Sequence, residues 1–62
     1  MELDRAVGIA EGYEDAKNKE EIIEAWQYLI DTGTCWKLQG WFGRTAEVLI
    51  KEGVCKEKDD RL

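Results

Sequence analysis

The side chains that could perform covalent chemistry in this chain are two thiols and a group of carboxylates. The 62 residues include Cys35 and Cys55 but no serine and no histidine. A Ser-His-Asp arrangement is therefore impossible, and neither thiol has a histidine base that would activate it. Glu20, Glu21 and Glu24 fall in the first turns of a predicted helix, where the helix dipole favours negative charge. We interpret them as structural, and the sequence predicts a protein that is not an enzyme.

Metal, disulfide and cofactor sites are equally poorly supported. Two cysteines without histidine or a Cys-x-x-Cys pair do not make a four-ligand zinc site. If one continuous helix separates Cys35 from Cys55, a rise of 1.5 Å per residue places them about 30 Å apart. A disulfide needs Cα atoms within about 7 Å. No apolar leader begins the chain, so we expect two reduced thiols in a cytoplasmic protein that holds no cofactor.

The net charge of −5 is unevenly distributed along the chain. Residues 1–16 contain five acids against Arg5, whereas residues 32–54 contain three bases against two acids. An acidic protein repels the phosphate backbone, which disfavours nonspecific binding to nucleic acid. No apolar run approaches the ~20 residues of a membrane span. A domain this small buries only about 60% of its unfolded surface, so a homo-oligomer is a natural source of further stability.

Three helices are predicted, with no strand or hairpin signal. Helix one covers about 3–15, where apolar residues recur every three or four positions. Helix two covers about 19–32, with Asn18 as N-cap, Glu21 completing a capping box and Gly33 closing the C-terminus. Its apolar stripe begins with isoleucines and contains Trp26, which we assign to the core; the full set is Ile22, Ile23, Ala25, Trp26, Leu29 and Ile30.

The third helix is predicted as one unbroken rod over about 36–52, capped by Thr34 and ended by Gly53. Residues 38–46 (LQGWFGRTA) form its first half, and we expect the other segments to pack against it. The short turn at 32–34 sets helices two and three as an αα-hairpin, with helix one covering the open side. The fold class is all-α, a single domain, with a frayed tail at 55–62.

Aromatic residues supply the main functional signal. A three-helix domain of this size has too little interior for three tryptophans, two tyrosines and a phenylalanine. Exposed aromatic area marks contact sites, and Trp, Tyr and Arg often anchor protein interfaces. Gly40 and Gly43 lie on adjacent turns and would leave a notch for another helix. The predicted partner contacts are Tyr28, Trp36, Gly40, Trp41, Gly43 and Arg44.

Three other interpretations place nucleic acid at the centre. A glycine-bearing backbone clamp would need small or basic residues between Gly40 and Gly43, and two aromatics stand there. A helix-turn-helix would use 37–52 as its recognition helix and present Lys37, Gln39 and Arg44 to DNA. Three such side chains are weak support for DNA binding by an acidic chain. The acidic N-terminal half could instead mimic nucleic acid and block a basic site on a host protein.

Three segments together resemble a family of short uncharacterised bacteriophage proteins, marine ones included. They are residues 24–33 (EAWQYLIDTG), residues 38–46 and the closing Leu49-Ile50-x-x-Gly53, about half of the chain. The family has no assigned activity, so the resemblance transfers no residue role. It implies a small protein in the cytoplasm of an infected bacterium, a class that often binds a host protein. We therefore expect a protein–protein interaction module that binds a host protein or itself.

Overall fold

The computed structural model describes residues 1–57, and the described chain is helical. Its elements in order are α1 (Leu3–Glu11), α2 (Lys19–Asp31), a short 3₁₀ helix (Thr34–Trp36) and α3 (Gly40–Lys51). The predicted class, a small all-α domain of three helices, is confirmed. The bounds of the first and third helices differ from the prediction.

Helix α1 ends four residues before the predicted position because Gly12 closes it. Gly12 adopts the left-handed conformation at φ 85°. The amide of Tyr13 then donates to the Gly8 carbonyl at 2.9 Å, which satisfies a carbonyl at the helix end. Tyr13 therefore lies beyond the helix and is 84% exposed, and Ala6 and Ile9 are the buried residues of α1. Gly12 is thus the helix stop, although the apolar spacing predicted a helix that continues to about residue 15.

Helix α2 begins and ends where the sequence places its signals. The Asn18 side chain accepts a hydrogen bond from the Glu21 amide at 2.9 Å, as predicted for an N-cap. The Glu21 carboxylate returns to the Lys17 amide at 2.8 Å, one residue before the position of a standard capping box. It also pairs with Arg5 of α1 at 2.9 Å. Gly33, at φ 75°, follows the last turn.

Glu21 should make the stability of the domain depend on pH. Its pKa lies below the ordinary value of 4.5, first because it accepts the Lys17 amide hydrogen bond and next because it pairs with Arg5. A lowered folded pKa contributes stability above the ordinary pKa, and this contribution is lost as pH falls through the folded value. In urea titrations below about pH 5, Glu21→Gln should therefore flatten the acid-side loss of stability. Glu20→Gln removes the same charge from the same turn and should keep the parental slope; equal slopes for the two variants would contradict the assignment.

The third helix is not the rod that the sequence predicts. Residues 34–36 form a 3₁₀ helix, residues 37–39 leave it, and α3 begins only at Gly40. Thr34 does not cap α3, and its hydroxyl instead contacts that of Thr32 at 2.8 Å. Gln39 is the N-cap of α3, and its side chain makes no capping hydrogen bond. The break lets Cys35 enter the core, where it is 1% exposed. Gly53, at φ 80°, follows the end of α3 as predicted.

The core lies where all the elements meet around α2. Helices α1 and α2 approach most closely, whereas few Cα atoms of α3 come within 8 Å of α2. Large aromatic side chains fill the wider gap. The closest helix pair is thus α1 with α2, and α3 is not the element against which all other segments pack, contrary to the sequence prediction. Trp26 is confirmed as core, while Ile22 and Ile23 are exposed; the buried residues are Ala6, Ile9, Ala25, Trp26, Leu29, Ile30, Cys35, Phe42, Ala46 and Cys55.

The start of the predicted frayed tail is fixed on α2. Cys55 is buried. The Gln27 side chain donates to the Lys56 carbonyl at 2.9 Å and accepts from the Lys56 amide at 2.8 Å. This pairing satisfies both backbone groups of Lys56, so the chain is held at least this far. Residues 58–62 lie outside the described part.

No helix among the described residues combines the length and apolarity needed to cross a membrane.

Candidate protein-binding surface

The outward side of α3 is defined by its rotation relative to the core. Phe42 and Ala46 are buried. Arg44 is two positions from each, which at 100° per residue turns it about 200° away from both. One turn on either side of Arg44 stand Gly40 and Val48, and all three are exposed. We call this strip, formed by Gly40, Arg44 and Val48, the outward face of α3.

Two tryptophans flank the outward face at its N-terminal half. Trp41 lies on α3 itself, whereas Trp36 of the 3₁₀ helix packs over Gly43. Positions 41 and 43 are two residues apart, so the indoles lie on opposite edges of the helix. Trp36 is 49% exposed and Trp41 is 36% exposed. The prediction that aromatic area reaches the surface is therefore confirmed for these two residues.

The two glycines of the predicted notch differ in their surroundings. A Cβ added at Gly43 would lie 3.4 Å from Cε3 of Trp36, so the chain's own indole fills this position. A Cβ added at Gly40 would meet no atom within 4 Å. The two glycines therefore do not form a shared notch for an incoming helix. Only Gly40 leaves open space between the two indoles.

An aromatic cluster fixes the position of Trp41. Its ring stacks on Phe42 with centroids 3.9 Å apart, and it meets Trp26 in an edge-on contact at 6.4 Å. Trp26 also contacts Phe42 at 5.9 Å. Such pairs are favourable beyond their buried area. The exposed part of Trp41 is therefore held in place by buried neighbours from α2 and α3.

Tyr28 does not join this surface. It is seven residues after Glu21, which places both on the same side of α2, and Glu21 pairs with Arg5 of α1. Trp26, which contacts α3, is two positions from Tyr28 and so lies about 200° away. Tyr28 is half-buried against the core on the α1 side. The structure brings five of the six predicted contact residues together around α3 and leaves Tyr28 apart.

Beside Trp41 is a cleft that the sequence interpretation missed. It has a volume of about 270 Å³ and is lined by Glu11, Tyr13, Gln39 and Trp41. Glu11 and Tyr13, on either side of Gly12, line it from one side, and Gln39 and Trp41 at the start of α3 line it from the other. In the sequence, Gly12 marks the end of α1. Nothing in the sequence indicates that this end lies near the start of α3.

Neither thiol is arranged for chemistry. Both cysteines are free and buried in the core. Burial raises the pKa of Cys35, and burial followed by the charge of Asp31 raises the pKa of Cys55. A protonated, buried thiol is a poor nucleophile. Within residues 1–57 no three Cys, Asp or Glu side chains gather in a way that could hold a metal ion.

A family model described as a domain of unknown function, DUF7417, matches residues 6–62. No curated protein and no solved structure matches the chain.

Proposed function

The chain belongs to the DUF7417 family of domains of unknown function, and we propose that it is a protein–protein interaction module without catalysis. The outward face of α3, with Trp36 and Trp41 on its two edges, is the proposed binding surface. One observation carries this proposal: two indoles remain about 49% and 36% exposed although a buried aromatic cluster lies directly beneath one of them.

The chemistry of this surface is that of an interface anchor. Tryptophan and arginine are the residue types that most often dominate binding energy when a partner buries them. Arg44 lies between the two indoles, and its guanidinium is suited to pairing with a carboxylate of a partner. Gly40 leaves room for the partner's backbone or a bulky side chain. Val48, 52% exposed, extends the apolar area one turn further along α3.

The proposed setting is the cytoplasm of a bacterium infected by a bacteriophage, with a host protein as the partner. The resemblance of residues 24–33 and 38–46 to short phage proteins supports this setting. A second copy of the chain is the other candidate occupant of the surface. Light scattering over a range of protein concentrations distinguishes them, because a self-associating chain increases in mass with concentration.

Arg44→Glu should weaken partner binding about tenfold or more, since it reverses the charge between the two indoles. Binding is measured as retention of the host partner on immobilised protein or, for a self-associating chain, as the dimer dissociation constant. Lys19→Glu is the matched control, because it makes the same charge change in the first turn of α2. Both positions are exposed, so both variants should keep the parental circular dichroism. Equal losses for the two variants would refute the proposed surface.

Two of the three residues that the DNA-binding alternative assigns to its recognition helix do not lie on α3. Lys37 and Gln39, which it places on a recognition helix over 37–52, precede the start of α3. A mobility-shift assay at low salt tests it directly, because phosphate contacts are strongest there. The nucleic-acid mimic remains an alternative for the acidic residues of the N-terminal half. A captured partner with a strongly basic groove, retained by Arg44→Glu, would favour that version.

A further inference from the structure

The cleft beside Trp41 combines two aromatic rings with a carboxylate. Glu11 and Tyr13 come from the end of α1 and the turn after it, and Gln39 and Trp41 come from the start of α3. Tyr13 is 84% exposed and so is accessible from solvent. The volume of about 270 Å³ lies just below the usual range for small-molecule pockets, about 300–1,000 Å³. The cleft therefore suits one side chain of a partner rather than a whole metabolite.

Glu11 gives the α1 side of the cleft a negative charge, whereas the opposite side is the start of α3, where the helix dipole is positive. Glu11 is the last residue of α1, and a helix C-terminus already carries a partial negative charge. No basic residue lies in that last turn to offset it. Residues 1–16 contain five acids, and Arg5, their one base, pairs with Glu21 of α2. An acid in this position is unfavourable to the helix itself and favourable to an incoming cation.

Tyr13 and Trp41 border this mostly polar cleft, and their rings add a second preference for a cation. The negative face of an indole or phenol ring attracts ammonium and guanidinium groups. A guanidinium also stacks on such rings and can donate to a carboxylate and an amide carbonyl at the same time. Glu11 supplies the carboxylate, and the Gln39 side chain supplies an amide carbonyl. These four residues together match the donors and the charge of an arginine head group.

We infer that this cleft binds an arginine side chain of the protein partner. The inference rests on the proposed function, since it assigns a binding role to one edge of the same surface. It adds a defined chemistry: the outward face of α3 presents indoles and Arg44, whereas the cleft accepts a cation. A partner segment that bears an arginine next to an apolar or acidic stretch is complementary to both.

The cleft can be tested without the partner by nuclear magnetic resonance. The isotope-labelled chain is titrated at low ionic strength with Nα-acetyl-arginine N-methylamide, and the Trp41 indole N–H signal is followed. The citrulline analogue is the control probe, because it keeps the length and planar head but carries no charge. We expect a saturable shift with arginine and at least about fivefold weaker binding with citrulline.

A pair of matched variants assigns the effect to the cleft. Glu11→Gln should weaken arginine binding about fivefold, whereas Glu24→Gln, an exposed acid of α2, should leave it unchanged. The inference is overturned if the Trp41 signal shows no saturable shift, if citrulline binds equally well or if Glu11→Gln binds arginine as the parent does. If arginine does not bind but Arg44→Glu weakens partner binding, only the inference about the cleft is wrong. If arginine binds but Arg44→Glu leaves partner binding unchanged, only the proposed role of the outward face of α3 is wrong.

Discussion

Trp26→Ala should remove most of the free energy of unfolding of the domain at room temperature. Trp26 is 6% exposed and contacts Trp41 and Phe42 of α3. Few Cα atoms of α3 come within 8 Å of α2, and these rings bridge the gap between the two helices. Removal of a buried tryptophan typically costs about 3–5 kcal/mol. A 62-residue domain has a free energy of unfolding of only about 3–9 kcal/mol, so the loss takes most of it.

The control for this experiment is Trp36→Ala, which deletes the same side chain at a site that is 49% exposed. We expect it to cost about 1–2 kcal/mol, because part of its ring never leaves water. Urea denaturation followed by circular dichroism measures both variants. If the two substitutions destabilise equally, the aromatic cluster does not hold α3 in place, and the position of Trp41 on the surface loses its explanation.

Gly33→Val should produce the second large effect, a loss of about 2–3 kcal/mol. Gly33 has φ 75°, a left-handed conformation that a β-branched residue resists strongly. No atom lies within 4 Å of the position of an added Cβ, so the cost comes from the backbone rather than from a clash. This glycine directs the chain from α2 into the 3₁₀ helix that carries the buried Cys35.

Gly40→Val is the matched control for the backbone effect. Gly40 is the first residue of α3, it has no positive φ, and an added Cβ there also meets open space. Valine is a slightly better helix former than glycine, so the free energy of unfolding should change by less than about 0.5 kcal/mol. Thermal denaturation of the two variants compares them directly. A similar loss at both positions would show that the left-handed turn is not the cause.

Gly40→Val also fills the open space between the indoles, so it should weaken partner binding while the fold persists.

The limits of helix α2 could be predicted because their causes are local. Asn18 reaches an amide three residues away, and Gly33 adopts its conformation without help from distant segments. Trp26 was assigned to the core correctly because the apolar stripe of a helix must face its neighbours. Gly12 carries the same kind of local signal as Gly33, but the predicted helix continued past it because the apolar spacing runs on to Tyr13.

The start of α3 and the cleft had no comparable local cause. No proline or strong cap marks residues 37–39, and the chain leaves its helical path there as Cys35 enters the core and Trp36 packs over Gly43. That packing was also invisible in the spacing of Gly40 and Gly43, which suggested a shared notch. Glu11 and Gln39 line one cleft only because two distant parts of the chain meet.

The sequence by itself determined an all-α chain of three helices, the limits of α2, the burial of Trp26 and the excess of aromatic area over interior volume. Each of these depends on residues within about one or two turns, or on composition alone. Only the tertiary structure decided where α3 begins, which indoles flank its outward face, that Tyr28 lies apart and that Glu11 and Trp41 line one cleft. These features depend on which segments, distant in sequence, are buried together in the same small core. Local propensity does not specify which segments these are.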